Sequence, residues 1–99
     1  MRQGTTPTHI YTLPFDTGLI QSIQVTYAQN KKIVLQKKTA DIIVSGQTAT
    51  CELTQEETFL FDPSAFVDIQ VRVLIGGEAL TSDIIRIGVA RCLDREVLL

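Results

Sequence analysis

The chain has 99 residues, of which 44% are hydrophobic and 20% are charged, and its formal net charge is −2. This length suits one compact domain with a single core, and the composition excludes a disordered chain. Nine basic residues spread among eleven acidic ones form no concentrated basic face, so we expect no nucleic-acid partner.

The N-terminal segment, residues 1–6, has no strand pattern and is predicted to be flexible. It also lacks the apolar core of a secretory signal. No later segment approaches the roughly 18 apolar residues of a membrane-spanning helix, so no membrane partner is expected. These features predict a protein that is made in the cytoplasm.

Seven later segments alternate apolar and polar residues with a period near two, which is the pattern of half-buried β-strands. In chain order they are HIYTLPF, IQSIQVTYAQ, KKIVLQKK, ADIIVS, TATCELT, VDIQVRVLI and SDIIRIGVAR. The clearest inward face is predicted for residues 67–75. The last segment is expected to turn Ile85, Ile87 and Val89 inward.

Tight turns separate these strands. Asn30 in AQNKK is expected to adopt a positive φ, and glycines supply further corners at Gly46 and at Gly76-Gly77. Strands joined by such short turns pair antiparallel and leave no room for βαβ crossovers. The sequence therefore predicts an all-β fold over residues 7–93, an antiparallel two-sheet β-sandwich of immunoglobulin-like proportions with about seven strands.

The segment CELTQEETFLFD, which begins at Cys51, interrupts the strand pattern. Thr54 and Glu57 have the spacing of a capping box, which predicts at most one short helical turn near residues 54–58. One of the two apolar residues that follow, Leu60 or Phe61, is then expected to fill the end of the sandwich.

Three acids of this segment, Glu52, Glu56 and Glu57, could in principle form a catalytic carboxylate pair. A small sandwich with a solvated connector offers no evident pocket for such a pair, so we predict no catalytic residue and no enzyme activity. Replacing Glu56 or Glu57 with Gln is expected to cost at most about 1 kcal/mol, the value of a helix cap.

The remaining candidates for chemistry are isolated. His9 is the only histidine, and it is expected either to face solvent or to make one inward hydrogen bond. The two cysteines, Cys51 and Cys92, lack the paired spacing of a zinc site and are expected to be buried free thiols. We therefore expect no metal, no cofactor and no small-molecule substrate.

Within the segment KKIVLQKK, the apolar run Ile33-Val34-Leu35 is bracketed by four lysines: Lys31, Lys32, Lys37 and Lys38. We interpret them first as charges that keep an edge strand from pairing with another chain. The alternative is a surface for an acidic partner.

The C-terminal tail, residues 94–99, ends in the apolar residues Val97, Leu98 and Leu99. A monomer has to bury or expose these side chains. Two placements stay open: docking on the chain's own sandwich, or docking on a neighbouring subunit. In the second case the three residues are partner contacts, and their deletion is expected to weaken self-association.

Five stretches, in the order PTHIYTLPFD, VTYAQ, LTQEETFLF, VDIQVRVL and SDIIRIGVARCLD, resemble small proteins of phage and prophage gene clusters in Gram-positive bacteria. The likeness covers nearly the whole chain. The chain is also similar to the N-terminal sandwich domain of phage baseplate upper proteins, in which a segment like LTQEET precedes a strand like VDIQV.

The resemblance carries no catalytic residue. It implies a non-enzymatic virion structural or assembly protein, at the tail, baseplate or head surface, made in the bacterial host cytoplasm and then placed in the virion. Its partners would be other virion proteins, further copies of itself, or both. The alternative from the sandwich alone is a small ligand- or carbohydrate-binding module, since sandwiches often present sites on loops.

Overall fold

The computed structural model describes all residues, 1–99, and contains eight strands, one short α-helix and two 3-10 turns, Thr17–Leu19 and Thr39–Asp41. The strands in chain order are β1 (Thr8–Thr12), β2 (Ile20–Gln29), β3 (Lys32–Lys38), β4 (Ile42–Ser45), β5 (Thr48–Glu52), β6 (Val67–Ile75), β7 (Glu78–Thr81) and β8 (Ile85–Ile87). Helix α1 (Gln55–Thr58) connects β5 to β6. None of the helical segments has the length and apolar character needed to span a bilayer.

The strands form two antiparallel sheets that pack face to face, which confirms the predicted all-β sandwich. The small sheet has the order β1-β5-β4. The large sheet has the order β3-β2-β6, and both β7 and β8 pair with the far edge of β6. The count is eight rather than seven because β7 was not predicted: its four residues EALT are too few to show a clear alternation.

The core consists of the inward faces of both sheets together with Leu13, Leu53 and Phe61 from the segments that follow β1, β5 and α1. Its fourteen buried apolar residues are Tyr11, Leu13, Ile23, Val25, Tyr27, Ile42, Ala49, Cys51, Leu53, Phe61, Val67, Ile69, Val71 and Val73. The alternation in β2, β5 and β6 therefore identified the buried face of each strand.

The last predicted strand is shorter than expected. Strand β8 has three residues, and Ile85 is 42% exposed rather than inward. It lies on the outer edge of the large sheet, where only β6 pairs with it. The expected inward position of Ile85 is therefore wrong, because the small sheet does not cover this edge.

The turns have the predicted geometry. Asn30 and Lys31 adopt positive φ values of 51° and 65°, and Gly76 and Gly77 adopt 57° and 81°. Two successive positive φ values match the right-handed twist of a hairpin's strands. These two turns join β2 to β3 and β6 to β7.

The first three residues of the N-terminal segment are hydrogen-bonded to the sandwich. The backbone N–H of Gln3 donates to Ala90 O, and the backbone N–H of Ala90 donates to Met1 O. Arg2 and Ala90 thereby form an isolated parallel β-bridge. Gln3 is 1% exposed; its Nε2 donates to Phe61 O at 2.8 Å, and its Oε1 accepts from Cys92 N at 3.3 Å. The sequence did not reveal this attachment, because a single buried polar residue leaves no alternation to detect.

Replacing Gln3 with Ala is expected to lower the free energy of unfolding by about 1.5 kcal/mol, because a buried carbonyl and a buried N–H lose their partners. Gln47, an exposed turn residue, supplies a matched control, and its replacement by Ala should change stability by less than about 0.5 kcal/mol. Urea unfolding of both variants measures the difference. Equal effects would show that the Gln3 side chain does not contribute to stability.

Candidate partner-binding surface

The connector between β5 and β6 begins with a complete capping box. The Thr54 Oγ1 accepts from Glu57 N at 3.1 Å, and the Glu57 carboxylate accepts from Thr54 N at 2.9 Å. These two bonds satisfy N–H groups that have no partner within the helix. The single turn of α1 therefore forms where the sequence placed a helical turn.

Glu57 also makes an ion pair that the sequence did not suggest. The Lys37 Nζ donates to both carboxylate oxygens, at 2.8 and 2.7 Å. Lys37 is 9% exposed, so it is not one of the solvated lysines of an edge strand. Partial burial raises the pKa of Glu57, but the hydrogen bonds from Lys37 and Thr54 outweigh this effect and hold the pKa below its usual value.

Two predictions about these residues are therefore corrected. Strand β3 is an edge strand, as predicted, but Lys37 points inward because its register partner Val25 belongs to the buried face of β2. Glu57 is not a solvated acid, because its carboxylate forms an ion pair with Lys37. The remaining lysines of the group, Lys32 and Lys38 in β3 and Lys31 in the preceding turn, are exposed.

Phe61, rather than Leu60, fills the end of the sandwich. Phe61 is 1% exposed, and its ring meets the Tyr27 ring edge to face at a centroid distance of 5.9 Å. Leu60 is 57% exposed. Gln29 fixes the chain that follows: its amide donates to Asp62 O and Ala65 O and accepts from Asp62 N.

The C-terminal tail is attached to this connector through its backbone. The Gln55 side chain accepts from Leu98 N at 2.8 Å and donates to Leu98 O at 2.9 Å, as a neighbouring β-strand would. The Arg95 guanidinium donates to Phe59 O at 3.1 Å and lies 5.0 Å from the centroid of the Phe59 ring. The tail is thus held on its own domain at two points.

The apolar side chains of the tail divide into two groups. Val97 is half-buried, whereas Leu98 and Leu99 are both exposed, Leu98 to 76%. Leu93, just before the tail, is also exposed. The backbone therefore docks in cis, and the two leucines of the predicted contact set face solvent.

Val97 lines an open groove of about 630 Å³ between the tail and the small sheet. The other lining residues are Thr6, Thr8, Glu52, Leu53, Thr54, Gln55 and Glu56. Glu57 does not line the groove because its carboxylate pairs with Lys37, so Glu52, Glu56 and Glu57 do not form one cluster. The lining contains no histidine and no cysteine to act with the two carboxylates, and no aromatic ring on which a sugar could stack.

His9 lies away from this groove, in a buried polar chain that links the sheets. The Tyr27 hydroxyl lies 3.0 Å from His9 Nδ1 and 2.9 Å from the Tyr11 hydroxyl. Burial lowers the pKa of His9, raises the pKa of Tyr11 to about 12, and raises the pKa of Tyr27 further. All three groups are therefore uncharged at neutral pH, and their hydrogen bonds join β1 to β2 across the two sheets.

Both cysteines are free thiols. Burial raises the pKa of Cys51 to about 11, so this thiol is unreactive at neutral pH. Cys92 is half-buried, and its thiol donates to Asp94 O at 3.0 Å. Nowhere do three or more His, Cys, Asp or Glu side chains come together in a way that could hold a metal ion.

A second apolar region lies on the outer face of the small sheet. Ile10 and Ile43 are 66% and 65% exposed, and both pair in register with Thr50 between them. The sequence left the facing of this strand open, since His9 was expected either to face solvent or to point inward. That this face has no covering layer depends on the packing of the two sheets and was not visible in the sequence.

Comparison of the chain with protein-family models, with curated proteins and with solved structures finds no match.

Proposed function

We propose that this protein is a non-enzymatic structural or assembly component of a phage or prophage virion, at the tail, baseplate or head surface, that acts through protein–protein contacts. The observation that supports a contact role is the tail, whose backbone is fixed by Gln55 while Leu98 and Leu99 project into solvent. The resemblance of the sequence to phage proteins supports the virion setting.

A fixed tail is a better contact than a mobile one. An apolar segment that is already ordered loses little conformational entropy when a partner covers it. Leu98 and Leu99, with Leu93 nearby in the chain, expose apolar surface that water does not favour. The tail therefore has the properties expected of a small anchor for another virion protein.

The virion setting has a direct test in the genes that flank the coding sequence. Terminase, portal or tail genes on either side would support a protein that is made in the bacterial host cytoplasm and assembled into the particle. A neighbourhood of metabolic genes alone would contradict it. Proteins encoded by the flanking genes are also the partners to use in binding experiments.

Deleting Val97 to Leu99 is expected to weaken binding to a virion protein encoded by a flanking gene by at least tenfold, which corresponds to about 1.4 kcal/mol. The same deletion should weaken assembly of the protein itself beyond small oligomers by a similar factor. Each exposed leucine that becomes buried in a contact contributes about this much or more. Size-exclusion chromatography with light scattering measures both effects.

The matched control is Leu19→Ser, which changes another leucine that is 70% exposed but lies in the 3-10 turn before β2. It should leave binding unchanged. If the deletion and the control behave alike, the tail is not the contact.

A further inference from the structure

The edges of the two sheets are not equally protected against pairing with another chain. Strand β3 carries the exposed Lys32 and Lys38 and has a register shift at Tyr27 and Ala28 of its partner strand. The opposite edge is divided between two short strands, β7 and β8. Charges, irregular register and short length are the usual means by which edge strands avoid association.

Strand β1 has none of these features. Its sequence THIYT contains no Asp, Glu, Lys or Arg and no proline, and it pairs with β5 in uninterrupted register over five residues. An edge strand of this kind is a ready template for a further strand.

The hydrogen bonds around β1 show which of its backbone groups are free. Leu53 N donates to Pro7 O, and Leu13 N donates to Gln47 O, so the odd-numbered residues of this segment point their backbone groups at β5. In an antiparallel ladder the intervening residues point theirs the other way. Thr8, Ile10 and Thr12 therefore present their N–H and C=O groups outward.

These three residues read the same in both directions: threonine, isoleucine, threonine. A two-fold axis through Ile10 pairs Ile10 with its own copy and Thr8 with Thr12 of the second chain, all on one face. Each such pair exchanges two backbone hydrogen bonds, about six in all. Threonine pairs and β-branched pairs across strands are favourable, and no like charges meet.

We infer that β1 binds β1 of a second copy of this chain, antiparallel about a two-fold axis at Ile10, so that the two small sheets become one continuous sheet of six strands. Such a dimer would be the unit that the proposed virion role assembles, and in this sense it rests on that proposal. A two-fold contact of this kind closes on itself and leaves both tails free for other partners.

The space and the apolar surface beside β1 fit this arrangement. An open cleft of about 330 Å³ separates β1 from β8, and its apolar lining includes Ile10, Ile69, Ile85 and Ile87. A strand added to β1 would cover this cleft and shield part of the exposed Ile10 and Ile85. On the outer face, the row that contains Ile10 and Ile43 would continue into the second copy.

The contact is small, which sets the expected affinity. Pairing of two five-residue strands buries less than the roughly 1,200 Å² of a standard stable interface, so a dimer with a micromolar Kd is expected. Sedimentation velocity from about 1 to about 100 µM should therefore show a monomer that converts to a dimer as the concentration rises.

The variant Ile10→Lys places two ammonium groups on the axis and should weaken the dimer at least thirtyfold. Ile43→Lys is its matched control, because Ile43 is equally exposed on the outer face of the same sheet but lies on the opposite edge strand. It should leave the dimer intact. Circular dichroism and thermal melting should show both variants folded.

A covalent experiment tests the register. In a Cys92→Ser background, Ile10→Cys should give a disulfide-linked dimer under mild oxidation, while Ile43→Cys should not. A chain that stays monomeric at about 100 µM, or a dimer that survives Ile10→Lys, overturns the inference. A dimer that is lost on deletion of Val97 to Leu99, but not with Ile10→Lys, would overturn the β1 contact and support the tail contact. A monomer that binds virion proteins encoded by flanking genes would overturn the dimer and leave the proposed function standing.

Discussion

Replacing Phe61 with Ala is expected to lower the free energy of unfolding by about 4 kcal/mol, because the change removes a fully buried ring and leaves a cavity that the neighbours only partly fill. Phe61 is 1% exposed at the end of the core, where its ring packs edge to face on Tyr27. No other aromatic ring of the connector is fully buried. Chemical unfolding followed by circular dichroism measures the loss.

The adjacent Leu60 provides the control, because it belongs to the same connector but is 57% exposed. Leu60→Ala should change the free energy of unfolding by no more than about 0.5 kcal/mol. The sequence left open which of the two side chains fills the sandwich. Similar losses for both variants would mean that Phe61 does not fill the end of the sandwich and would contradict its packing between the sheets.

The parts of the fold that the sequence predicted are those that depend on local pattern. An alternation of period two identifies which face of a strand is buried, and this was enough for β2, β5 and β6. Turn residues such as Asn30 and Gly77 need a positive φ, which short-range chemistry reveals. A capping box spans only four residues, so Thr54 and Glu57 were sufficient to predict it.

The parts that the sequence did not predict depend on residues far apart in the chain. Lys37 and Glu57 are twenty positions apart, and Gln3 and Cys92 are eighty-nine apart. Lys37, Glu57 and Gln3 look like ordinary surface residues until the sheets pack. One signal was present: Lys37 follows Leu35 by two residues in a strand, which places a lysine on the face that leads toward the core.

The candidate surfaces show the same division. The apolar character of the tail was evident, but its attachment by the Gln55 side chain was not, because a single glutamine carries no pattern. The outward position of Ile10 was not predicted, because the sequence left open which face of β1 is buried. That β1 is an unprotected edge followed only from the order of strands in the small sheet.

Replacing Glu57 with Gln is expected to lower the free energy of unfolding by about 3 kcal/mol, because it leaves the Lys37 ammonium without its counter-charge in a nearly dry site. This exceeds the value of about 1 kcal/mol that the sequence predicted for a solvated cap. The expected loss is at the lower end for a broken buried pair, since the side chain of Glu57 is 22% exposed. Urea unfolding at neutral pH measures it.

Two further variants separate the ion pair from the cap. The amide oxygen that Glu57→Gln introduces can still accept from Thr54 N, so the cap is retained in that variant. Thr54→Ala removes the cap but keeps the ion pair, and should cost about 1 kcal/mol. Glu56→Gln changes an exposed acid of the same turn and should cost less than about 0.5 kcal/mol. An equal loss of unfolding free energy for all three variants would mean that the Lys37–Glu57 ion pair does not stabilise the fold.

The pH dependence of the same comparison tests whether the effect is electrostatic. The pKa of Glu57 is lower in the folded protein than its usual 4.5, so the unfolded chain binds the proton more readily between the two values. The contribution of the ion pair is therefore complete above about pH 5 and is lost as the pH falls through the folded pKa. The difference in unfolding free energy between wild type and Glu57→Gln should stay constant from pH 7 to about pH 5 and then shrink, since a protonated Glu57 resembles glutamine. A difference that persists unchanged at about pH 3 would attribute the loss to packing rather than to the charge of Glu57.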